Sequence, residues 1–246
     1  MDGLLDWIVV LFCSLSGFCN GNACREVTHI EQRYQVCSYR AADVSVRLFH
    51  LDANGKPYGS LSALRKKTGP TPRMLMNGGM YHDDLAPVGL YIETGKRSQK
   101  VSTKGGWGNF HLLPNGIFWG KNGKLGVTET KSFLTRRPKP DFATQSGPML
   151  VIDGKLHPKF LEKSDSLKIR NGVGVSTDGR WVHFAISHGF VNFWGFGTLF
   201  RDVLETPNAL FLDGSVSAID AEGYRQGGWR APGPIIGVFE KPIAAN

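Results

Sequence analysis

No apolar run in the chain reaches the roughly 18 to 20 residues that a membrane-spanning helix needs; the longest, Trp7 to Phe12, soon gives way to polar residues. A multispan membrane protein is excluded. Nor is there a P-loop, a complete G-x-G-x-x-G after a strand, an H-E-x-x-H or a G-x-S-x-G, so nucleotide, zincin and serine-hydrolase chemistry lack their usual carriers. The histidines stand singly at 29, 50, 82, 111, 157, 183 and 188 without paired ligand spacing, so neither metal nor cofactor is expected. Glycine (31 residues) and proline (13) show no three-residue period, which excludes a collagen-like chain. There is no Ser/Gly/Pro-rich linker, charge block or fixed-period repeat, which leaves one domain.

Acid is also scarce: the formal charge of the 246-residue chain is +8. Beyond Arg65-Lys66-Lys67 and Arg136-Arg137-Pro138-Lys139 the bases are dispersed, so the surplus points to an anionic small molecule or glycan and not to nucleic acid. Leu4 to Phe18 has the length of a signal-peptide core, followed by small residues ending in Gly21-Asn22-Ala23. Residues 1–23 read as an export signal, although Asp2 and Asp6 replace its usual positive start, and 24–246 as the mature domain. Export, to the periplasm or beyond, raises the charge to +10 by removing those two acids and leaves Cys24 and Cys37 as the mature cysteines. A pair in an exported protein predicts a disulfide of about 3 kcal/mol in the chain-entropy model. A lipidated Cys24 is the lesser alternative, because Gly21 occupies a position that is normally leucine-like.

Asn54-Gly55, Asn115-Gly116, Asn122-Gly123, Asp153-Gly154 and Asp178-Gly179 suit hairpin turns between short alternating segments. Strands are predicted at 34–39, 44–50, 73–76, 88–93, 110–119, 149–152, 173–175, 181–187, 210–212 and 235–239. Helices are predicted at 60–67, 129–136 and 198–205. The fold class is α+β: a single domain, mostly mixed or antiparallel β-sheet with a few short helices.

Four segments carry more polar and glycine residues than sheet formation requires. Met76-Asn77-Gly78-Gly79-Met80-Tyr81-His82-Asp83-Asp84 can bring backbone N–H groups to a substrate, or make a tight turn. Ala143 to Pro148 offers Ser146 and Gly147 but reads alone as a loop. Arg170-Asn171-Gly172-Val173-Gly174-Val175 opens a strand with an arginine suited to a bidentate anion contact, or to a surface ion pair. Ala209 to Ser217 is an apolar strand delivering Asp213, followed by Gly214, Ser215 and Ser217. Its competing reading is an Asp-Gly hairpin.

Taken together and in this order, these segments resemble the phosphodiester glycosidase family, over about residues 34–240. The matching motifs are Asn77 to Tyr81, Ser146 to Pro148, Arg170 to Gly174 and Leu212 to Ser217, with Met80 where an aromatic is common and Ser215-Val216 where a glycine pair is. Pro87-Val88-Gly89-Leu90-Tyr91 and Val191-Asn192-Phe193 are similar to a small bacterial exported branch. The resemblance implies a hydrolase that cleaves a sugar from a glycosyl 1-phosphodiester in an envelope or extracellular glycan. On it, Arg170 would hold phosphate with the backbone of Gly78, Gly79 and Gly147. Asp213 would act on the sugar, Asn77, Ser146 and Ser217 would position substrate, and Asp83 or Asp84 would activate water. Two alternatives stay open: a non-catalytic exopolysaccharide binder using Trp107, Trp119, Trp194 and Trp229, and a metal-dependent phosphodiesterase using His82, Asp83 and Asp84.

Overall fold

A computed structural model describes residues 23–241. The strands are β1 (Cys24–His29), β2 (Gln32–Arg40), β3 (Val44–Phe49), β4 (Met74–Asn77), β5 (Tyr91–Glu93), β6 (Lys96–Gln99), β7 (Gly116–Lys121), β8 (Lys124–Glu129), β9 (Phe142–Ser146), β10 (Met149–Ile152), β11 (Lys155–Leu156), β12 (Asn171–Val175), β13 (Trp181–Ser187), β14 (Asn208–Asp213), β15 (Ile219–Ala221), β16 (Tyr224–Gln226) and β17 (Ile235–Glu240). The α-helices are α1 (Leu61–Lys67), α2 (Thr130–Arg136) and α3 (Phe193–Thr198).

Every paired strand is antiparallel. Three sheets result, ordered β1-β2-β13-β12-β14-β10-β11, β16-β15-β4-β17-β3 and β6-β5-β9-β7-β8. Their inner faces share one core containing Tyr39, Met74, Met76, Phe118, Phe184, Leu210, Leu212, Ile236 and Val238. Their outer faces each carry a helix: Phe196 and Leu199 on the first sheet, Leu61 and Leu64 on the second, Phe133 on the third. This is why β14 reads as a continuous apolar run rather than an alternation: Leu210 and Leu212 enter the common core while Ala209 and Phe211 face α3.

The expected disulfide is present and joins Cys24 to Cys37, directly paired residues of β1 and β2. Tethering therefore pins an edge strand, and the β1–β2 turn it encloses has Ile30 and Glu31 at φ 47° and 58° without a glycine or asparagine to mark it in the sequence. The signal-peptide expectation falls outside the described residues except for Ala23, whose carbonyl accepts Ser38 N–H at 2.8 Å. Asn122-Gly123 and Asp153-Gly154 close hairpins as expected. Asn115-Gly116 does not: Asn115 is buried and Gly116 opens β7, so the strand expected from Phe110 begins only after Pro114, and Phe110 lies in a 3-10 turn.

Two further expectations are corrected. Phe142–Ser146 is a buried strand and not a loop, because Thr144, Gln145 and Ser146 satisfy their polar groups inside the protein. Gln145 alone accepts Leu90 and Ser102 N–H and donates to the Ser102 carbonyl. The helix placed at 198–205 starts at Phe193, capped by the Asn192 side chain on Gly195 N–H at 2.8 Å, and ends in a π-turn at Leu199–Val203. Its glycines disguised it.

The glycines of β12 answer to the same helix. A methyl group on Gly172 would meet the Leu210 carbonyl at 2.9 Å, and one on Gly174 would meet Thr206 at 2.8 Å and Phe200 at 2.9 Å. They let two phenylalanines seat on the sheet, where each buried ring contributes about 1.5 to 3 kcal/mol. We therefore expect Gly174→Ala to destabilise the fold by about 1 to 3 kcal/mol in a urea titration, through overpacking. An unchanged midpoint would show that the helix can shift at no cost.

Candidate functional site

Four strand ends meet where the first two sheets abut. β4 ends in Asn77, β12 begins with Asn171, β14 ends in Asp213, and the chain returns through Ser217 into β15. The Asn77 side chain is fully buried; its Oδ1 accepts the Ala218 N–H at 2.8 Å and the Asn171 amide at 3.0 Å. Its Nδ2 faces Asp213 Oδ2 at 3.5 Å. Asp213 Oδ1 accepts N–H bonds from Gly214 at 2.6 Å and Ser215 at 2.8 Å, so the Asp-Gly pair forms a carboxylate-centred loop and not a hairpin. Ser217 lies 2.9 Å from the carbonyls of Asp213 and Ile169 and staples the loop, while the buried Ser146 hydroxyl donates to the Leu212 carbonyl at 2.9 Å.

Asp213 is only 6 % exposed. Burial raises its pKa above 3.8, and the N–H groups of Ser215, Gly214 and Val216 only partly oppose that. It opens on a cleft of about 730 Å³ that Tyr81, Asp83, Trp107, His111 and Arg230 also line, a volume in the range of ordinary ligand sites. Tyr81 donates to the Ala231 carbonyl at 3.0 Å and so ties the loop carrying Arg230 to the loop after β4. Burial, with a smaller contribution from the Asp213 charge, pushes the Tyr81 hydroxyl up to about 12, which keeps it a donor.

Other candidates sit elsewhere. Arg170 lies beneath the 213–217 loop with no surface exposure: Nε donates to the Val191 carbonyl at 2.9 Å, Nη2 to the Ser166 carbonyl at 2.7 Å, and its guanidinium lies 3.6 Å over the Phe193 ring. Nη1 has no partner, and burial lowers the group's pKa to about 10. A methyl group on Gly78 would meet Ile236 at 2.9 Å, and the Gly78 carbonyl accepts from Thr144 at 2.8 Å; one on Gly147 would meet Asn115 at 2.6 Å. These glycines serve close packing around the site. Gly79, at φ 147°, turns the chain toward Tyr81. Asp83 lines the cleft, whereas Asp84 accepts Ala86 N–H and holds a turn. Trp119 is partly buried in a helix-facing cluster with its N–H on Thr128, while Trp107 stands 99 % exposed at the cleft.

Among the described residues no three His, Cys, Asp or Glu side chains gather closely enough to hold a metal ion. The residues the sequence reading passed over are Asn171 and Arg230. Asn171 stood beside the more conspicuous Arg170, and Arg230 lies in a Gly- and Pro-rich stretch that reads as plain loop.

The class is an antiparallel three-sheet α+β domain around a shared core, with a buried Asn-Asn-Asp junction where the first two sheets meet. The model of the phosphodiester glycosidase family matches residues 71–227, and the chain belongs to that family. It is 36 % identical over 180 residues to the uncharacterized protein YigE of Escherichia coli strain K12, covering 72 % of this chain and 70 % of that one. The fold is similar to the zebrafish N-acetylglucosamine-1-phosphodiester alpha-N-acetylglucosaminidase catalytic domain, auto-inhibited by its pro-peptide (TM-score 0.62, 16 % identity, covering 89 % of this chain and 82 % of that one). A hypothetical protein from Synechocystis shares it at TM-score 0.53 and 15 % identity, over 89 % of this chain and 61 % of that one.

Two stability outcomes follow from the junction. Asn77→Ala strands the buried Ala218 N–H and the Asn171 amide and should cost about 2 to 4 kcal/mol by urea denaturation. For Asp213 the folded pKa lies above the unfolded one. Its ionisation therefore costs no stability below pH 3.8, and the cost grows as pH rises from there through the folded value. The melting temperature of Asp213→Asn relative to the parent should accordingly climb between acid and neutral pH. A flat difference would show that the carboxylate is not desolvated.

Proposed function

We propose that the chain is an exported hydrolase that cleaves a sugar from a glycosyl 1-phosphodiester in an envelope or extracellular glycan. Family membership supports the reaction class, and the Cys24–Cys37 disulfide supports an oxidising compartment. The single observation that carries the reading is the buried Asp213 carboxylate held at the mouth of a cleft whose rim supplies the Arg230 guanidinium.

A phosphomonoester leaves readily, so the reaction needs little proton donation to the leaving group and depends on binding charge. As the bond from sugar C1 to the bridging oxygen breaks, its electron pair departs with phosphate and positive charge grows on the sugar. Asp213, ionised and held by backbone N–H groups, faces that charge or attacks C1. Water then bonds to C1, returning the electron pair of any C1–Asp213 bond to the carboxylate, and yields its proton to Asp83 as the base lining the same cleft. Asn77 keeps Asp213 oriented. Arg230 takes the phosphate oxygens, since Arg170 has Nε and Nη2 occupied and supports the loop from below. Ser146 and Ser217 hold backbone, and Gly214 and Ser215 hold Asp213.

The second reading, a glycan binder without turnover, draws on the exposed Trp107. Incubating the purified protein with an N-acetylglucosamine 1-phosphodiester and with aryl glycosides, with products identified by mass, separates the two. We expect hydrolysis of the phosphodiester and an acid limb above pH 3.8. Asp213→Asn should lose at least a hundredfold in turnover on every cleaved substrate, and activity should survive chelation. Arg230→Lys should penalise phosphodiesters over aryl glycosides, whereas Arg170→Lys should slow both alike. Saturable binding without products would establish the binder, and loss of activity on chelation, restored by metal, a metallo-phosphodiesterase.

A further inference from the structure

The outer face of the first sheet is covered over only part of its length. Val36 and Ala185, paired across β2 and β13, lie in the apolar layer beneath α3. Two residues along the same face the next pair is Ser38 and His183, and the apolar pattern stops there. The helix has ended as well: Phe200 and Thr206 settle on Gly174, the β12 partner of His183, and the chain leaves through Val203, Leu204 and Glu205. Between that exit and the sheet lies a cleft of about 530 Å³. It is remote from the junction, since Gly174 stands three residues along β12 from Asn171, roughly 10 Å. Asn171 moreover shares its face of the strand with Val173 of the common core, the face opposite to His183.

Ser38 and His183 are 6 % and 9 % exposed, and Ser38 Oγ lies 2.8 Å from His183 Nδ1. Nε2 has no hydrogen-bond partner among the described residues, and its ring lines the cleft. Burial, with the Arg25 charge adding to it, lowers the pKa of the ring to about 4, so at neutral pH it is uncharged. If Ser38 donates to Nδ1, the cleft meets an Nε2–H donor and a hydroxyl acceptor; in the other tautomer the two roles exchange. Either way one atom donates and its neighbour accepts. A hydroxyl beside an imidazole is also the pairing of a nucleophile and its base. Here, however, Arg25 opposes the imidazolium that proton transfer would create, and among the described residues no carboxylate bonds the ring to stabilise it. The pair is suited to recognition and not to catalysis.

Trp181, Val203 and Leu204 give the cleft an indole and two aliphatic walls. Its charged lining residues, Arg25, Arg180, Asp178 and Glu205, cancel formally, and Arg180 is already paired with Asp178. Apolar walls, a floor that donates and accepts side by side, and no net charge fit an uncharged ring with adjacent hydroxyls on its edge and C–H groups on its faces. A neutral pyranose has that form.

We propose that this cleft is a second binding site, for an uncharged pyranose, with the ring against Trp181 and two neighbouring hydroxyls on Ser38 and His183. It is independent of the reaction at Asp213: the ligand needs no phosphate, and no bond is broken there. A sugar bound in it holds the protein while the junction, at the other end of the sheet, stays open.

The test follows the His183 ring nitrogens by NMR in protein carrying isotopically labelled histidine, while methyl glycosides of glucose, galactose, mannose and N-acetylglucosamine are added. The signal missing from His183→Gln identifies the ring. At least one glycoside should move it saturably with a dissociation constant of about 1 mM, ordinary for a ligand of about a dozen non-hydrogen atoms. Trp181→Ala should weaken that binding about tenfold, and Asp213→Asn should leave it unchanged. Because a change at Trp181 can disturb the sheet, Val203→Arg, at a position 38 % exposed, blocks the mouth separately and should abolish the shift with the circular dichroism spectrum intact. A disaccharide of the same sugar that binds no more weakly assigns the ligand to a glycan, and its exclusion assigns it to a free sugar; both support the site. No shift with any glycoside, a shift that persists in both Trp181→Ala and Val203→Arg, or an equal shift with inorganic phosphate overturns the proposal. Covalent labelling of Ser38 by a fluorophosphonate also overturns it, because the pair would then be catalytic.

Discussion

Everything at the site depends on one buried amide. Asn77 belongs to the second sheet, while Asn171 and Asp213 belong to the first, and the Asn77 side chain is where the two are bonded at their ends. An amide has a donor and an acceptor end in one rigid plane, so it can accept from Asn171 and Ala218 while turning N–H toward a carboxylate. A carboxylate in the same place would repel Asp213, and an apolar residue would strand two donors. The constraint also explains why the two asparagines are completely buried: in a dry junction each unmade bond is costly, so the network holds one geometry.

Around that amide the protein keeps two charges out of water with little compensation. Among the described residues, Asp213 has backbone N–H groups and no cation within hydrogen-bond reach, and Arg170 has carbonyls and aromatic faces and no carboxylate. Each is a cost to folding. In the proposed reaction the cost at Asp213 has a use: a desolvated carboxylate interacts more strongly with positive charge developing on a substrate than a hydrated one. For Arg170 the benefit is mechanical, because its two bonds gather the 166–170 and 191 segments under the loop that presents Asp213.

Strand β9 supplies the other half of the support. Its polar residues bind in three directions: Thr144 to the turn after β4, Ser146 to the end of β14, and Gln145 to the loops around Leu90 and Ser102. The third sheet is thereby fastened to the turn after β4 and to the end of β14, which lead into two of the segments lining the first cleft. Gly89 reflects the same arrangement, since a methyl group there would collide with the Gln145 side chain.

The α+β class, the cysteine pair, most strands and the four polar segments were legible in the sequence because each depends on local pattern: turn residues, alternation, and an aspartate closing an apolar run. The disulfide, the class and the family stand on the structure and the comparisons; residues 1–22 lie outside the described part of the chain. What pattern could not supply was partnership. Thr-Gln-Ser looks like a loop because its partners lie as far as 66 residues away, and the packing role of the two glycines in β12 is hidden because the phenylalanines they admit arrive later in the chain. Arg170 looks like an anion ligand until the tertiary structure covers it with Phe193. Arg230 reads as plain loop, and reaches the cleft only because the Tyr81 hydroxyl draws its loop there. Local sequence determines which groups a segment offers; whether a group meets water, substrate or protein is decided by sheets that pack across long stretches of chain, and burial sets the energy of each charge only after they have closed.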